Sequence, residues 1–358
     1  MLSMPDPSDT LTTQLRTPAM ADVARLAGVS AQTVSRALRD HPHVQPATRA
    51  KVLDAVRQLG YRRNNAARAL SSGRSHTIGV VMHQTAAYSS GSFSLGVERA
   101  AREAGYAIST VTAASVSPEA VEAALAQVID QGVDGLVLTL PMIGTTPRID
   151  ELTRDLPTVA TDGSRTPDAE VVAIDQRQIG ALATQHLLDL GHETVWHVAG
   201  QAAWLESVRR EEGWRATLVD AGREPPPILT GDWSAASGYQ AGLILGRIPE
   251  ASAVFVAGDE MAFGLLRALH ELGRTVPDDI SVVGVDDIRL AAYATPPLTT
   301  VAQPFDQVGA AAVNHLIGLI DGVSEPPSIE SPPDPRLIIR STTAQRSRQH
   351  PTTEGDPR

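Results

Sequence analysis

The chain contains no cysteine. That absence excludes disulfides, thiolate metal sites and cysteine nucleophiles together. No apolar run approaches the roughly 18 residues that a membrane span needs, so no membrane partner is expected. The opening stretch MLSMPDPSDTLTTQLRTPAM carries Asp6 and Asp9 and no continuous apolar segment. It does not read as a signal peptide, and a cytoplasmic protein is expected. Signatures of several enzyme classes are also missing, including a Walker-type phosphate loop and a Gly-x-Ser-x-Gly elbow. GHETVWH places His192 and His197 five positions apart. A zinc-binding helix needs its two histidines four apart on one face, and TVWHV reads as a strand instead. No enzyme activity, metal or cofactor is expected.

What the chain does have is length and an uneven charge. At 358 residues and 42% hydrophobic content it can build two or more packing units. The formal net charge is -11, yet the segment from Arg16 to His76 holds 11 Lys and Arg against 3 Asp and Glu, a net of +8. The remaining residues carry 19 against 38, a net of -19. A basic head on an acidic body points to a polyanion that the head alone touches.

Residues 20 to 60 read as three short helices. MADVARLA places apolar residues at helical spacing and ends at Gly28. Ser30 is positioned as the N-cap of a second helix running to about Arg39. The third, ATRAKVLDAVRQLG, is expected to bury Val52, Leu53, Val56 and Leu59 on one face and to stop at Gly60. Two helices joined by a tight glycine-containing turn form the geometry that places a second helix in the DNA major groove. In that helix Val34, Ala37 and Leu38 face inward, while Gln32, Ser35, Arg36 and Arg39 point elsewhere. Gln and Arg can each reach base edges with two hydrogen bonds, and Ser can bond bases or phosphates. YRRNNAARALSSGRS follows, basic, with one isolated apolar residue, Leu70. A helix there is too short to persist unless something packs against it.

From Thr77 onward, short β-branched runs alternate with helical stretches. TIGVVM, GYAIST, DGLVLTL, PTVAT and EVVAI form one group, and TVWHVAG, SAVFVAG and ISVVGV a second. Such alternation predicts parallel sheets with helices on both faces, here in two similar α/β subdomains. Ligands of open α/β sheets bind beyond the carboxyl ends of the strands, so two facing sheets predict a cleft between them.

The stretches DVARLAGVSAQTVSRAL, TRAKVLDAVRQLGY, HLLDLGHETV, GDWSAASGYQ, ISVVGVDDI and PPLTTVAQPFDQVG resemble the LacI/GalR family of bacterial transcriptional regulators. The resemblance runs from about Met20 to Thr343, and GDWSAASG and PPLTTV lean to its lactose-responsive branch. It implies a small all-α helix-turn-helix head over residues 18–62 and a hinge helix and linker over 63–75. A two-lobed, periplasmic-binding-protein-like α/β body over 76–341 would follow, with a flexible tail over 342–358. Ala31, Gln32 and Arg36 are then implied base readers, and Thr33 and Ser35 phosphate contacts. Asn64 and Leu70 match the hinge helix, with Leu70 wedged into the minor groove of a palindromic operator. Arg63 stands where the family usually has Pro. Sugar-contacting positions map onto Asp162, Arg210, Trp233, Asp286 and Gln303. Gly258 departs from a frequent Asn, and Asp259 beside it reads as a helix N-cap.

The resemblance implies a repressor released by a sugar inducer, a galactoside or other glycoside. A periplasmic sugar-binding protein would share the body but lack the basic head. The second reading is repression assisted by a corepressor such as a purine, for which Tyr88 and Phe93 could supply stacking. The tail AQRSRQHPTTEGDPR has no leucine and two prolines. It cannot form the leucine-heptad coiled coil that joins two dimers, so a homodimer is expected.

Overall fold

The computed structural model describes residues 18–38, 41–61, 73–83, 88–140, 145–161, 170–323 and 334–346. The chain divides into two compact units, Met1–Ser75 and His76–Arg358.

In the first unit, α1 (Met20–Ala27), α2 (Ala31–Leu38) and α3 (Pro46–Leu59) pack around Val23, Val34, Ala37, Val52 and Ala55. Local chemistry sets each boundary. Gly28 and Gly60 close α1 and α3 in the left-handed conformation, at φ 65° and 59°. The Ser30 hydroxyl accepts the Thr33 N–H at 3.1 Å and starts α2. One expectation fails: Leu53 is 39% exposed, and Ala55 takes its place in the core. Residues 52, 55, 56 and 59 share one helical face, whereas residue 53 lies about 100° round from 52.

The second unit holds two sheets. The first is parallel throughout, in the order β2-β1-β3-β4-β5, from β1 (Thr77–His83), β2 (Ala107–Ala113), β3 (Gly135–Thr139), β4 (Thr158–Thr161) and β5 (Glu170–Val171). The second runs β11-β10-β9-β8-β6-β7. It comprises β6 (Trp196–Ala199), β7 (Leu229–Thr230), β8 (Ala253–Val256), β9 (Ser281–Asp286), β10 (Thr299–Ala302) and an antiparallel β11 (Arg336–Ile338). The sequence reading missed β7, β10 and β11, which are two to four residues long. In both sheets successive residues feed opposite cores: Ile78, Val80 and Val137 lie in one, Val81, Leu136 and Leu138 in another. This double burial is why the strands read as continuous apolar runs.

Around the first sheet pack α4 (Tyr88–Glu103), α5 (Pro118–Ile129) and α6 (Pro147–Thr153); around the second, α7 (Gln176–Asp189), α8 (Leu205–Asp220), α9 (Ala235–Leu245) and α10 (Asp259–Glu271). The helix α11 (Phe305–Ile320) lies between β10 and β11 of the second sheet in sequence yet packs on α4, β3 and β4. The chain therefore crosses between the lobes more than once.

Three helix pairs approach closely through glycine on both partners. Gly96 and Gly309 join α4 to α11, Gly180 and Gly213 join α7 to α8, and Gly238 and Gly264 join α9 to α10. At each, a Cβ would run into the partner helix's backbone. Gly180 lies against the Arg210 carbonyl and Gly213 against the Arg177 carbonyl, so this contact sets the position of α8. Gly213→Ala is therefore expected to lower stability by about 1–3 kcal/mol through overpacking. Urea unfolding would measure it, and a loss below about 0.5 kcal/mol, the scale of an ordinary surface substitution, would contradict the close approach.

Candidate functional site

Five of the DNA-facing candidates sit on α2. Ala31, Gln32 and Arg36 are exposed, and Thr33 and Ser35 are half-buried. Val34 and Ala37 turn the opposite face into the core. Asn64, Leu70 and Asp162 lie outside the described residues.

The body contains a cavity of about 280 Å³. It lies beyond the strand carboxyl ends of both sheets: Met82 and His83 close β1, Thr139 closes β3, and Asp286 closes β9. Three candidates meet there, Arg210, Trp233 and Asp286.

A hydrogen-bond relay organises the polar side. Arg210 is 4% exposed, and its Nε donates to Gln176 Oε1 at 2.8 Å while Nη1 donates to the Ala257 carbonyl. Gln176 Nε2 donates to Gln303 Oε1 at 3.0 Å, and Gln303 Nε2 donates to Asp286 Oδ1. Gln303 thus stands behind Asp286, with both ends of its amide engaged inside the relay. Gln176 was not among the sequence candidates. Asp175, whose carboxylate caps α7, fixes it at the first turn of that helix.

Burial pushes the Asp286 carboxyl up to about 6. The Arg210 charge and the Gln303 hydrogen bond oppose that rise, while Glu206 and Glu260 add to it. Asp286 and Asp287 both hold left-handed backbone, at φ 106° and 52°. Such conformations cost energy and persist where surrounding contacts enforce them. Here Asp287 pairs with Arg340 at 2.6 Å. Asp259 does not cap α10: it is the helix's first residue, fully buried. Its carboxylate accepts the Ile288 N–H at 2.9 Å and the Thr300 hydroxyl at 2.7 Å, anchoring the turn after Asp286. Burial and then the Asp286 charge hold its carboxyl well above the usual range.

The apolar side is aromatic. Trp233 lies with its ring centroid 5.4 Å from that of Trp204, and the Arg210 guanidinium sits 5.6 Å from its ring. Trp204 in turn meets His83, centroids 5.6 Å apart. Burial lowers the His83 pKa, which favours the neutral ring. The motif GDWSAASG shows why Trp233 points inward. Asp232 accepts the Ser234 N–H at 2.9 Å, Ser234 caps α9, and Ser237 Oγ accepts the Asp232 N–H at 3.1 Å. This turn holds Trp233 at φ 74°. Gly200 leaves the floor open beneath its indole, where a Cβ would collide with the ring. Trp204 and His83 were missed because neither belongs to a patterned motif.

Phe93 lines the cavity but is 4% exposed and belongs to the core of the first lobe. Tyr88 begins α4. His197 lies within β6, fully buried, with Nδ1 3.0 Å from the Phe255 carbonyl. His192 is held by Ser252 at 3.0 Å. Burial lowers both imidazoles to about 4.

Residues 19–64 match the model of bacterial regulatory proteins of the lacI family, and residues 184–343 match that of a periplasmic binding protein-like domain. The ribose operon repressor of Escherichia coli (strain K12) is 35% identical over 309 residues, spanning 83% of this chain and 92% of that protein. The crystal structure of the lac repressor dimer bound to operator and the anti-inducer ONPF superposes with a TM-score of 0.84 at 30% identity, over 92% of this chain and 100% of that one. The complex of the transcriptional regulator CelR with cellobiose superposes with a TM-score of 0.68 at 32% identity, over 91% and 99%.

Proposed function

The chain belongs to the LacI family of bacterial regulatory proteins, and from that premise we propose that it is a cytoplasmic repressor released from its operator by a glycoside. One observation carries the effector class: the cavity is lined by the Asp286 carboxylate, the buried Arg210 guanidinium and the Trp204–Trp233 pair. Carboxylates accept from paired hydroxyls, a guanidinium donates a fork, and an indole covers the apolar face of a pyranose. Asp162 completes the polar set in this reading. The relatives whose names cite ribose and cellobiose support a sugar.

On DNA, a homodimer grips a palindrome. Ala31, Gln32 and Arg36 read bases, Thr33 and Ser35 hold phosphates, and Asn64 and Leu70 form the hinge. Sugar favours a closed arrangement of the lobes that separates the hinge helices. Because coupling is reciprocal, operator weakens sugar binding by the same factor as sugar weakens operator binding, typically about 5- to 150-fold. Calorimetric titration of sugars with and without operator tests this. A purine that tightens operator binding would instead establish the corepressor mechanism.

Arg36→Ala is expected to weaken operator binding by about 1–3 kcal/mol and to relax the preferred sequence. Gel shifts on operator and shuffled duplexes measure both effects, and equal binding of the wild type to both duplexes would refute the reading.

A further inference from the structure

Gly258 lines the cavity just before α10, and the fold does not require glycine there. Its φ of -159° is extended backbone, open to any residue. A Cβ would meet nothing nearer than Trp233 Cε3 at 3.7 Å and Met261 Cε at 4.0 Å, ordinary van der Waals distances. Neighbouring glycines differ. A Cβ at Gly200 would enter the Trp233 ring, one at Gly231 would press on Met261 Sδ, and one at Gly284 would strike the Asp259 carboxylate. Those three are glycine for want of space. At Gly258 the missing side chain leaves space instead, bounded by the Trp233 ring and the open cavity. Two residues on, the exposed Glu260 carboxylate also lines the cavity.

We propose that Gly258 is a specificity-determining position that leaves room for the second ring of a disaccharide effector, with Glu260 accepting hydrogen bonds from that ring's hydroxyls. This rests on the sugar reading of the cleft. The wall offers two indoles, Trp204 and Trp233, with centroids 5.4 Å apart, where a single pyranose face would need one. Asp286 and Arg210 hold the first ring. The second needs volume, an apolar contact and an acceptor, which Gly258, the tryptophans and Glu260 supply in turn.

The test is calorimetric titration of methyl β-galactoside, lactose, methyl β-glucoside and cellobiose into the wild type, Gly258→Ala, Gly258→Asn and Glu260→Gln. The wild type should prefer a disaccharide to the methyl glycoside of the same first ring. Gly258→Ala should cut that preference about tenfold by overfilling the space, and Gly258→Asn should cut it further. Glu260→Gln should cut it in the same direction. Melting temperatures confirm that each variant folds, and the Ala variant, with its Cβ in ordinary contact, is the secure case. Equal losses for both ligand sizes, or no disaccharide preference in the wild type, would overturn this inference while leaving the sugar reading of the cleft in place. Failure of all four sugars to bind the wild type would overturn the sugar reading and this inference with it.

Discussion

Arg210→Ala is expected to abolish release by sugar while leaving operator binding in place. The guanidinium is 4% exposed and bonds both Gln176 and the Ala257 carbonyl. Its removal takes away a ligand donor, strands the Gln176 acceptor, and withdraws the one nearby charge that favours ionised Asp286. Truncating one partner of a buried, hydrogen-bonded charge pair at a binding surface costs about 2–5 kcal/mol, at least about thirtyfold in sugar affinity. The residues proposed to read the operator lie on α2, in the other compact unit. Calorimetry with sugar and gel shifts with operator separate the two effects. A variant that still responds to inducer would show that the cleft assignment is wrong.

A second large effect is expected at Asp286, and its sign depends on pH. The carboxyl has an ordinary value of 3.8 and rises to about 6 in the folded chain. The native state therefore binds the extra proton more readily than the unfolded chain. This contribution to stability is complete below pH 3.8 and is lost as pH rises through about 6. Above that pH, ionised Asp286 works against the fold, facing Glu206 and Glu260, with Arg210 and the Gln303 hydrogen bond offsetting part of the cost. Asp286→Asn keeps the shape and an acceptor for Gln303 but removes the charge. It should stabilise the unliganded protein by about 2 kcal/mol at pH 7.5, given that the carboxyl also faces water in the cleft. Near pH 4 the gain should vanish. The same variant should bind sugar at least about tenfold more weakly, since a charged acceptor is worth more than a neutral one. Wild-type sugar affinity should fall as pH drops below about 6, and the variant's should stay flat. Thermal melts and titrations across pH 4–8 check both signs. Equal stability of the two proteins at pH 7.5 would contradict the strained, desolvated carboxylate.

How much of this was legible in the sequence follows from the range of the interactions involved. In the head, Gly28, Ser30 and Gly60 act on backbone within three or four residues of themselves, so the three helices could be placed from local chemistry. Leu53 shows the limit even there: an apolar residue one place off the buried stripe looks like core until the helix is wound and Ala55 turns inward. In the body, the β-branched runs announced their strands because both faces of each sheet are covered, while β7, β10 and β11 went unread.

The cleft divides in the same way. Trp233 and Asp286 stand in patterned stretches, and a local turn holds the Trp233 backbone at positive φ. Gln176, Trp204 and His83 carry no such mark. The relay from Arg210 through Gln176 and Gln303 to Asp286 joins positions up to 127 residues apart, brought together by packing of α7 on α8 and on β10, and by pairing of β10 with β9. The paired glycines are equally silent in sequence, since a mid-helix glycine has no use until a second helix arrives to occupy the space its missing side chain leaves. Composition, charge, caps and the alternation of strands with helices determined a basic helical head and parallel α/β lobes, and the family resemblance supplied the cleft candidates. Which side chains share that cleft, and which glycine leaves it open, was decided by tertiary packing, because those contacts form between segments that no local rule couples.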